Sequence, residues 1–260
     1  MRLDLYLFQK GETPSREAAK KLITEGLVNV NGKPCKRPAA DIKDGDEVEV
    51  TSCCPYVGRG AYKLKKAVEV FGLELTGLEC GDFGASTGGF TQIMLLCGAK
   101  KVYAVDVGHG QLAQSLSEDS RVVSLEGVNI RGITSESFPC ALDFAAADLS
   151  FISLKFAVPP ISSVLKEGGK TIMLIKPQFE CGRELVGKKG IIKSPKIHIR
   201  VIKEIIECFG TAGIAVRGLD YSPITGGSGN IEYLIFGEKG GEKSFVDIDG
   251  TVGSAWENLV

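Results

Sequence analysis

Among its 260 residues the sequence has only two histidines and no pair of cysteines spaced Cys-x-x-Cys. Structural zinc sites are built from closely spaced ligand pairs, so none is expected, and no metal site is read. The eight cysteines (35, 53, 54, 80, 97, 140, 181 and 208) are scattered. Several stand in apolar contexts where a thiol acts as a small hydrophobe, so they are read as reduced and mostly buried. No apolar run approaches the roughly 18 residues of a membrane span. The opening MRLDLYLFQK puts Asp4 inside the one candidate apolar stretch, so no secretory signal is read there and a cytoplasmic location is expected. The 33 glycines have no period, which excludes a collagen-like chain. Net charge is lacking too: 31 basic against 32 acidic side chains leave −1. A polyanionic partner would have to be held by a local patch.

What is present suits a soluble chain with a core, 43% hydrophobic and 24% charged, long enough for about two domains. Residues 1–40 carry eight Lys or Arg against four acids, and 41–50 (DIKDGDEVEV) reverse that balance. The Gly- and Pro-bearing stretch 51–59 reads as a linker. Residues 60–237 form the larger domain, and the polar, Gly-rich tail 238–260 is expected to be partly disordered.

In the first segment, Thr13 before Pro14 reads as a helix N-cap. Ala18, Ala19, Leu22 and Ile23 then make one apolar arc, with Arg16 and Lys20 one turn apart beside it. LVNVNGKP alternates through an Asn31-Gly32 turn, a strong hairpin signal. From composition alone a solvated face is the favoured reading of these cations over a phosphate grip. RLDLYL, SREAAKKLITEGLVNVNG, KP and DGDEVEV, in that order, resemble the small α+β αL-type RNA-binding module first described in a small-subunit ribosomal protein. That resemblance implies RNA contacts through Arg2, Ser15, Arg16, Lys20, Asn31 and Lys33, and Lys36, in the cation cluster with Lys33, is a further candidate.

Beyond residue 60, strand candidates at 78–83, 101–106, 121–125, 142–147, 171–175, 213–218 and 230–236 alternate with amphipathic stretches. This predicts an α/β, Rossmann-like domain with a mostly parallel seven-stranded sheet and helices on both faces. Ligands in such sheets bind at the carboxyl ends of the strands. LECGDFGASTGGF supplies a glycine loop there: Gly84, Ser86, Thr87, Gly88, Gly89 and Phe90. It matches neither Gly-Lys-Ser/Thr nor G-x-G-x-x-G. Asp82, read as pointing into the loop, would repel a pyrophosphate but suit the amine and sulfonium of S-adenosylmethionine. Asp106, ending the second strand, can accept from ribose hydroxyls, a device shared with NAD. Asn129 and Arg131 are candidates for the adenine border.

Asp148 and Lys176 end the fourth and fifth strands. On neighbouring strands about 4.8 Å apart they would emerge side by side. Glu232, in the apolar NIEYLIF, needs a partner to be buried, and Lys63 stands beside the apolar stripe Leu64, Ala67, Val68 and Phe71. Together the four can form an alternating network that holds a lysine ready to accept a proton.

GRGAYKL, DFGASTGGF, DVGHGQL, DLSFISL, KPQFE and GNIEYL resemble the TlyA (hemolysin A) family, relatives of the FtsJ ribose methyltransferases. The resemblance covers about residues 1–237. It implies a Lys-Asp-Lys-Glu catalytic tetrad at Lys63, Asp148, Lys176 and Glu232, and S-adenosylmethionine-dependent 2′-O-methylation of ribosomal RNA, with cytidine the family's nucleotide. Lys176 is then the proton acceptor, since a lysine pKa moves readily in a dry pocket. Arg59, Phe179, Arg183, Lys188 and Lys189 are further candidates for RNA contact, Phe179 by stacking on an extruded base. The rivals are a membrane-lytic protein, a non-catalytic ribosome-assembly factor and a nicotinamide-dependent oxidoreductase.

Overall fold

The computed structural model describes every residue except Pro14, Glu25, 51–54, Lys188, Lys189 and Val260, and omits the side chains of Lys21 and Arg183. The chain separates into two compact units, Met1–Pro55 and Tyr56–Val260.

In the first unit, α1 (Leu3–Gln9) and α2 (Arg16–Thr24) accompany a small antiparallel sheet of β1 (Val28–Val30), β2 (Lys33–Pro34) and β3 (Val48–Val50), ordered β2-β1-β3. Leu3 with Leu7 and Ala19 with Ile23 stand four apart on their helices, so each pair faces one core with Val28 and Ile42. The hairpin turns at Asn31 and Gly32, both at positive φ (53° and 72°), as a two-residue hairpin loop requires. The cap of α2 differs from expectation. Ser15, three residues before Ala18, accepts from the Ala18 amide at 3.1 Å, while the Thr13 hydroxyl donates to the Ser15 carbonyl. Pro14 lies outside the described residues.

The second unit runs α3 (Ala61–Phe71), β4 (Glu79–Phe83), α4 (Gly89–Leu96), β5 (Lys101–Val105), α5 (Gln114–Ser117), β6 (Val122–Leu125) and β7 (Leu142–Ala147). It continues through α6 (Val158–Val164), β8 (Leu165–Ile175), α7 (Pro177–Glu180), α8 (Pro195–Thr211), β9 (Ile214–Tyr221), β10 (Tyr233–Lys239) and α9 (Ile248–Leu259). Its seven strands lie in the order β6-β5-β4-β7-β8-β10-β9, with β10 antiparallel to both neighbours and the other pairings parallel. The expected mostly parallel sheet is formed. Strand alternation sorts the core into two layers. Phe144, Ala146, Ile172 and Leu174 pack with Leu64, Ala67, Phe90 and Met94 of α3 and α4. Ala145, Ala147, Met173 and Ile175 pack with residues of α6, α8 and α9. Strands covered on both faces become continuous apolar runs, which is why DFAAA and TIMLI show no polar alternation.

Two boundary readings are corrected. Residues 56–59, read as linker, belong to the second unit: the Val57 amide donates to Gln92 Oε1 at 2.8 Å and the Tyr56 ring meets Tyr62 at 5.2 Å. Within the tail, expected to be partly disordered, Ile248–Leu259 form the helix α9. Val252 and Ala255 of α9 are buried and Trp256 packs edge-on to His198 at 4.4 Å. The helical stripe Ile248, Val252, Ala255, Trp256 and Leu259 is diluted by polar residues and glycines, which masked its period.

Candidate active site

The strands of the second unit end on a cavity of about 580 Å³ lined by Phe83, Gly84, Ser86, Asp106, Gln111, Asn129, Arg131 and the 148–152 segment, among others. That volume lies within the roughly 300–1,000 Å³ range of cofactor-sized sites. Gly84 has φ +85°, and a Cβ there would come within 2.9 Å of the Asp148 carbonyl oxygen, so the β4 turn passes close beneath β7 only as glycine. Asp106 accepts from the Ser86 amide at 2.7 Å and the Gly108 amide at 2.8 Å, one on each oxygen. A carboxylate has about four acceptor positions, so each oxygen keeps one for a ribose hydroxyl. The Asn129 side chain caps the next turn by accepting from the Arg131 amide at 3.0 Å. The Arg131 guanidinium lies 4.2 Å from the Phe156 ring centroid.

The rest of the glycine loop serves packing, not the cavity wall. A Cβ on Gly88 would strike Leu116, one on Gly89 would sit 2.9 Å from the Ala61 amide nitrogen, and Phe90 is buried under α3. Thr87 likewise is not on the wall; its hydroxyl abuts Gly58. Asp82 is fully buried and does not point into the loop. Its Oδ2 accepts from the Thr91 amide at 2.8 Å and the Thr91 hydroxyl at 2.6 Å, while Oδ1 has no protein partner. Burial pushes this carboxyl up to about 7, against the lowering effect of the Thr91 hydrogen bonds, with Asp148 and Asp106 raising it further.

Beside the cavity, four side chains from three strand ends and α3 meet in a line. Glu232 Oε2 pairs with Lys63 Nζ at 2.7 Å, Lys63 Nζ with Asp148 Oδ2 at 3.0 Å, and Asp148 Oδ1 with Lys176 Nζ at 2.6 Å. The Lys63 and Lys176 side chains are only 9% and 7% exposed. Burial opposes the Lys63 ammonium, but the carboxylates of Asp148 and Glu232 outweigh it and hold Lys63 above the ordinary lysine value. Burial likewise opposes the Asp148 charge, yet Lys176 and Lys63 keep that carboxyl below the usual range. A Cβ on Gly226 would strike Glu232 Oε1, so the loop before β10 closes over that end of the line as glycine.

Lys176 also donates to Ser150 Oγ at 3.0 Å. Ser150, Phe151, Leu149 and Gln111 line the cavity, and sequence reasoning missed all four; the one available signal was their position beside Asp148 in DLSF and beside Asp106 in DVGHGQ. Phe151 is 92% exposed at φ +62°, and its ring packs on Phe179 at 5.1 Å.

The candidate RNA residues of the first unit show two kinds of setting. Arg2 and Arg16 both hold the buried Asp4 at 3.0 Å and remain about half exposed. Lys33 and Lys36 are exposed, and Lys20 pairs with Glu17 at 2.6 Å. Ser15 is the helix cap described above. The Asn31 amide is engaged internally, donating to Asp46 at 2.8 Å and accepting from the Glu47 amide at 2.9 Å. In the second unit Arg59 is half-buried before α3. Lys188, Lys189 and the Arg183 side chain lie outside the described residues.

An acid closing the second strand, a cavity at the carboxyl ends and an ionic line beside it define an α/β enzyme of the nucleoside-cofactor class. The chain belongs to the FtsJ-like methyltransferase family, whose model matches residues 56–239, and an S4 domain matches residues 1–48. It is 40% identical over 237 residues to the Mycobacterium tuberculosis 16S/23S rRNA (cytidine-2′-O)-methyltransferase TlyA, covering 90% of this chain and 88% of that one. It is 43% identical over 235 residues to hemolysin A of Brachyspira hyodysenteriae, covering 90% and 98%. A solved structure of a Streptococcus thermophilus protein described as a hemolysin superposes with a TM-score of 0.80 at 40% identity, covering 99% of this chain and 96% of that one. Among the described residues no helix is long and apolar enough to cross a membrane.

Proposed function

We propose that the protein transfers a methyl group from S-adenosylmethionine to a ribose 2′-hydroxyl of ribosomal RNA, cytidine being the favoured nucleotide and a cytoplasmic ribosomal subunit the setting. The observation that carries this reading is the line Glu232–Lys63–Asp148–Lys176 running from the protein interior to the cavity wall. The residues present fit the cofactor. Asp106 offers free acceptor positions for its ribose, and the Asn129–Arg131 turn borders the part of the cavity that would take the adenine. When bound, S-adenosylmethionine supplies an electrophilic methyl on a sulfonium. The protein supplies alignment and a base.

A ribose hydroxyl is a poor acid, so the reaction needs a proton acceptor and a fixed line of attack. Lys176 accepts the hydroxyl proton, Asp148 orients its amine and stabilises the ammonium that forms, and Lys63 anchored by Glu232 holds Asp148. Arg2, Arg16, Lys33 and Lys36, with Ser15, Lys20 and Asn31 shaping the same unit, engage RNA phosphates. Phe179, Arg59, Arg183, Lys188 and Lys189 add contacts around the extruded nucleotide. Mapping 2′-O-methylated positions in rRNA after incubation of unmodified subunits with the protein and tritiated cofactor tests the reading. Label at a cytidine ribose is expected. Absence of label on any rRNA, with cofactor bound, would turn the assignment toward an RNA-binding assembly factor.

A further inference from the structure

Ser150 has no part in the mechanism above, yet it holds one of the three directions around the Lys176 nitrogen. Nζ donates to Ser150 Oγ at 3.0 Å and pairs with Asp148 Oδ1 at 2.6 Å. An amine nitrogen is tetrahedral. In its neutral form two directions beyond Cε carry hydrogens and the third carries the lone pair. The Ser150 acceptor and the Asp148 carboxylate in ion-pair contact occupy two of these directions and leave the third to the lone pair. We infer that Ser150 is a positioning residue for methyl transfer. Together with Asp148 it stops rotation about the Cε–Nζ bond, so that the lone pair of Lys176 meets the incoming hydroxyl. The inference rests on the proposed ribose methylation.

The surrounding segment is built to keep Ser150 in place. The Asp148 amide donates to the Phe83 carbonyl at 3.1 Å, tying the near end to β4. Immediately after Ser150 the chain turns through Phe151 at φ +62°, a region that residues bearing a Cβ rarely occupy and that concentrates at functional sites. Glu180 of α7 fastens the far end, accepting from the Ser153 hydroxyl at 2.5 Å and the Leu154 amide at 2.8 Å. The Phe179 ring packs on Phe151 at 5.1 Å and lies 5.9 Å from Lys176 Nζ.

Ser150 is exposed and lines the cavity, so it also connects a nearly buried amine to solvent. In the step itself the hydroxyl O–H bond breaks and its proton bonds to Nζ. The electron pair left on oxygen becomes the bond to the methyl carbon, and the pair that had held the methyl leaves with sulfur. Nζ then returns the proton by donating it to Ser150 Oγ, whose own hydrogen passes to water.

The test compares Ser150→Ala, Ser150→Thr and Lys176→Ala in the full-length protein, with methylation kinetics on ribosomal subunits and cofactor affinity by calorimetry. Ser150→Ala is expected to lower kcat by about 10- to 100-fold, with KM for the subunit and Kd for S-adenosylmethionine within about twofold of wild type. Ser150→Thr, which keeps the hydroxyl, is expected to recover most of the rate. A kcat for Ser150→Ala within twofold of wild type would overturn the inference, as would equal losses in the Ala and Thr variants. A loss matched by weakened cofactor binding would overturn it too. Full turnover by Lys176→Ala would instead sink the lysine-base reading on which the inference rests.

Discussion

Asp4 in the first unit and Asp148 in the second each sit between two cations, but the cations are buried to very different degrees. Asp4 holds Arg2 and Arg16 at 3.0 Å, and the two arginines stay 49% and 44% exposed. The Arg2 hydrogen bond, aided by Arg16 and opposed by burial, keeps the Asp4 carboxyl down at about 2. A guanidinium carries five N–H donors, and one aspartate uses only a few of them. The cluster is thus net positive and open, suited to gripping an external anion. Asp148 instead pairs with two lysine nitrogens less than a tenth exposed, and Glu232 pairs with one of them, Lys63. That line is closed at one end. At the cavity it presents the Asp148 carboxylate, with the Lys176 nitrogen in contact behind it. The exposure of the cations, more than the identity of the acid, separates a binding cluster from a chemical one.

The largest expected effect comes from breaking the closed line at its working end. Lys176→Ala and Asp148→Ala should each lower methyl transfer by about 10³-fold or more, in keeping with the loss of a positioned base. Cofactor affinity measured by calorimetry should stay within about threefold. Retained turnover in both variants would erase the functional side of the comparison. At the other end, Glu232→Gln leaves the buried Lys63 facing a single carboxylate. Breaking a buried pair on one side costs about 3–5 kcal/mol, readable as a drop in urea midpoint. Adding Lys63→Met should recover part of that stability without recovering activity.

Much of this contrast was legible before any coordinates. DFAAA and TIMLI announced buried parallel strands, and the charged residues that end them, Asp148 and Lys176, stood out because nothing else at those ends was polar. Glu232 was visible as the lone acid of an apolar strand. What the sequence concealed were orientations and loops. Asp82 reads like a cofactor ligand by position but turns onto Thr91, since a side chain on β4 faces one layer or the other by strict alternation, which loop motifs do not reveal. Ser150 and Phe151 gave no periodic signal because the 148–153 segment follows no helix or strand repeat. The helix α9 escaped notice because its burial comes from packing on α8, where His198 and Trp256 meet, rather than from its own hydrophobicity.

Asp82 sharpens the comparison as a buried acid with no cation paired to it among the described residues. With only Thr91 as donor, burial raises it to about 7, whereas acids flanked by cations are held low. A carboxyl raised in the folded state contributes stability that is complete below its unfolded pKa near 3.8 and is lost as pH rises through about 7. Wild-type protein without cofactor should therefore melt lower at pH 8 than at pH 5, by an amount corresponding to roughly 2–4 kcal/mol from this residue. Asp82→Asn should shrink that difference. An unchanged difference in the variant would mean that Asp82 ionises without cost, and that a cation is not what separates the three acids.

The smallest effect concerns the open cluster, and it separates charge from geometry there. Each phosphate neutralised by a cation adds close to one unit to the slope of log affinity against log salt. Arg16→Ala should therefore lower that slope by about one for an rRNA fragment between about 50 and 200 mM salt. Arg2→Lys keeps the charge but loses the planar fork that holds Asp4 through Nε and Nη2 together. It should weaken binding while leaving the slope nearly unchanged. If Arg2→Lys bound as tightly as wild type, Asp4 would be neutralising spare charge rather than aiming two guanidiniums, and the first unit would grip RNA by net charge instead of by an oriented pair.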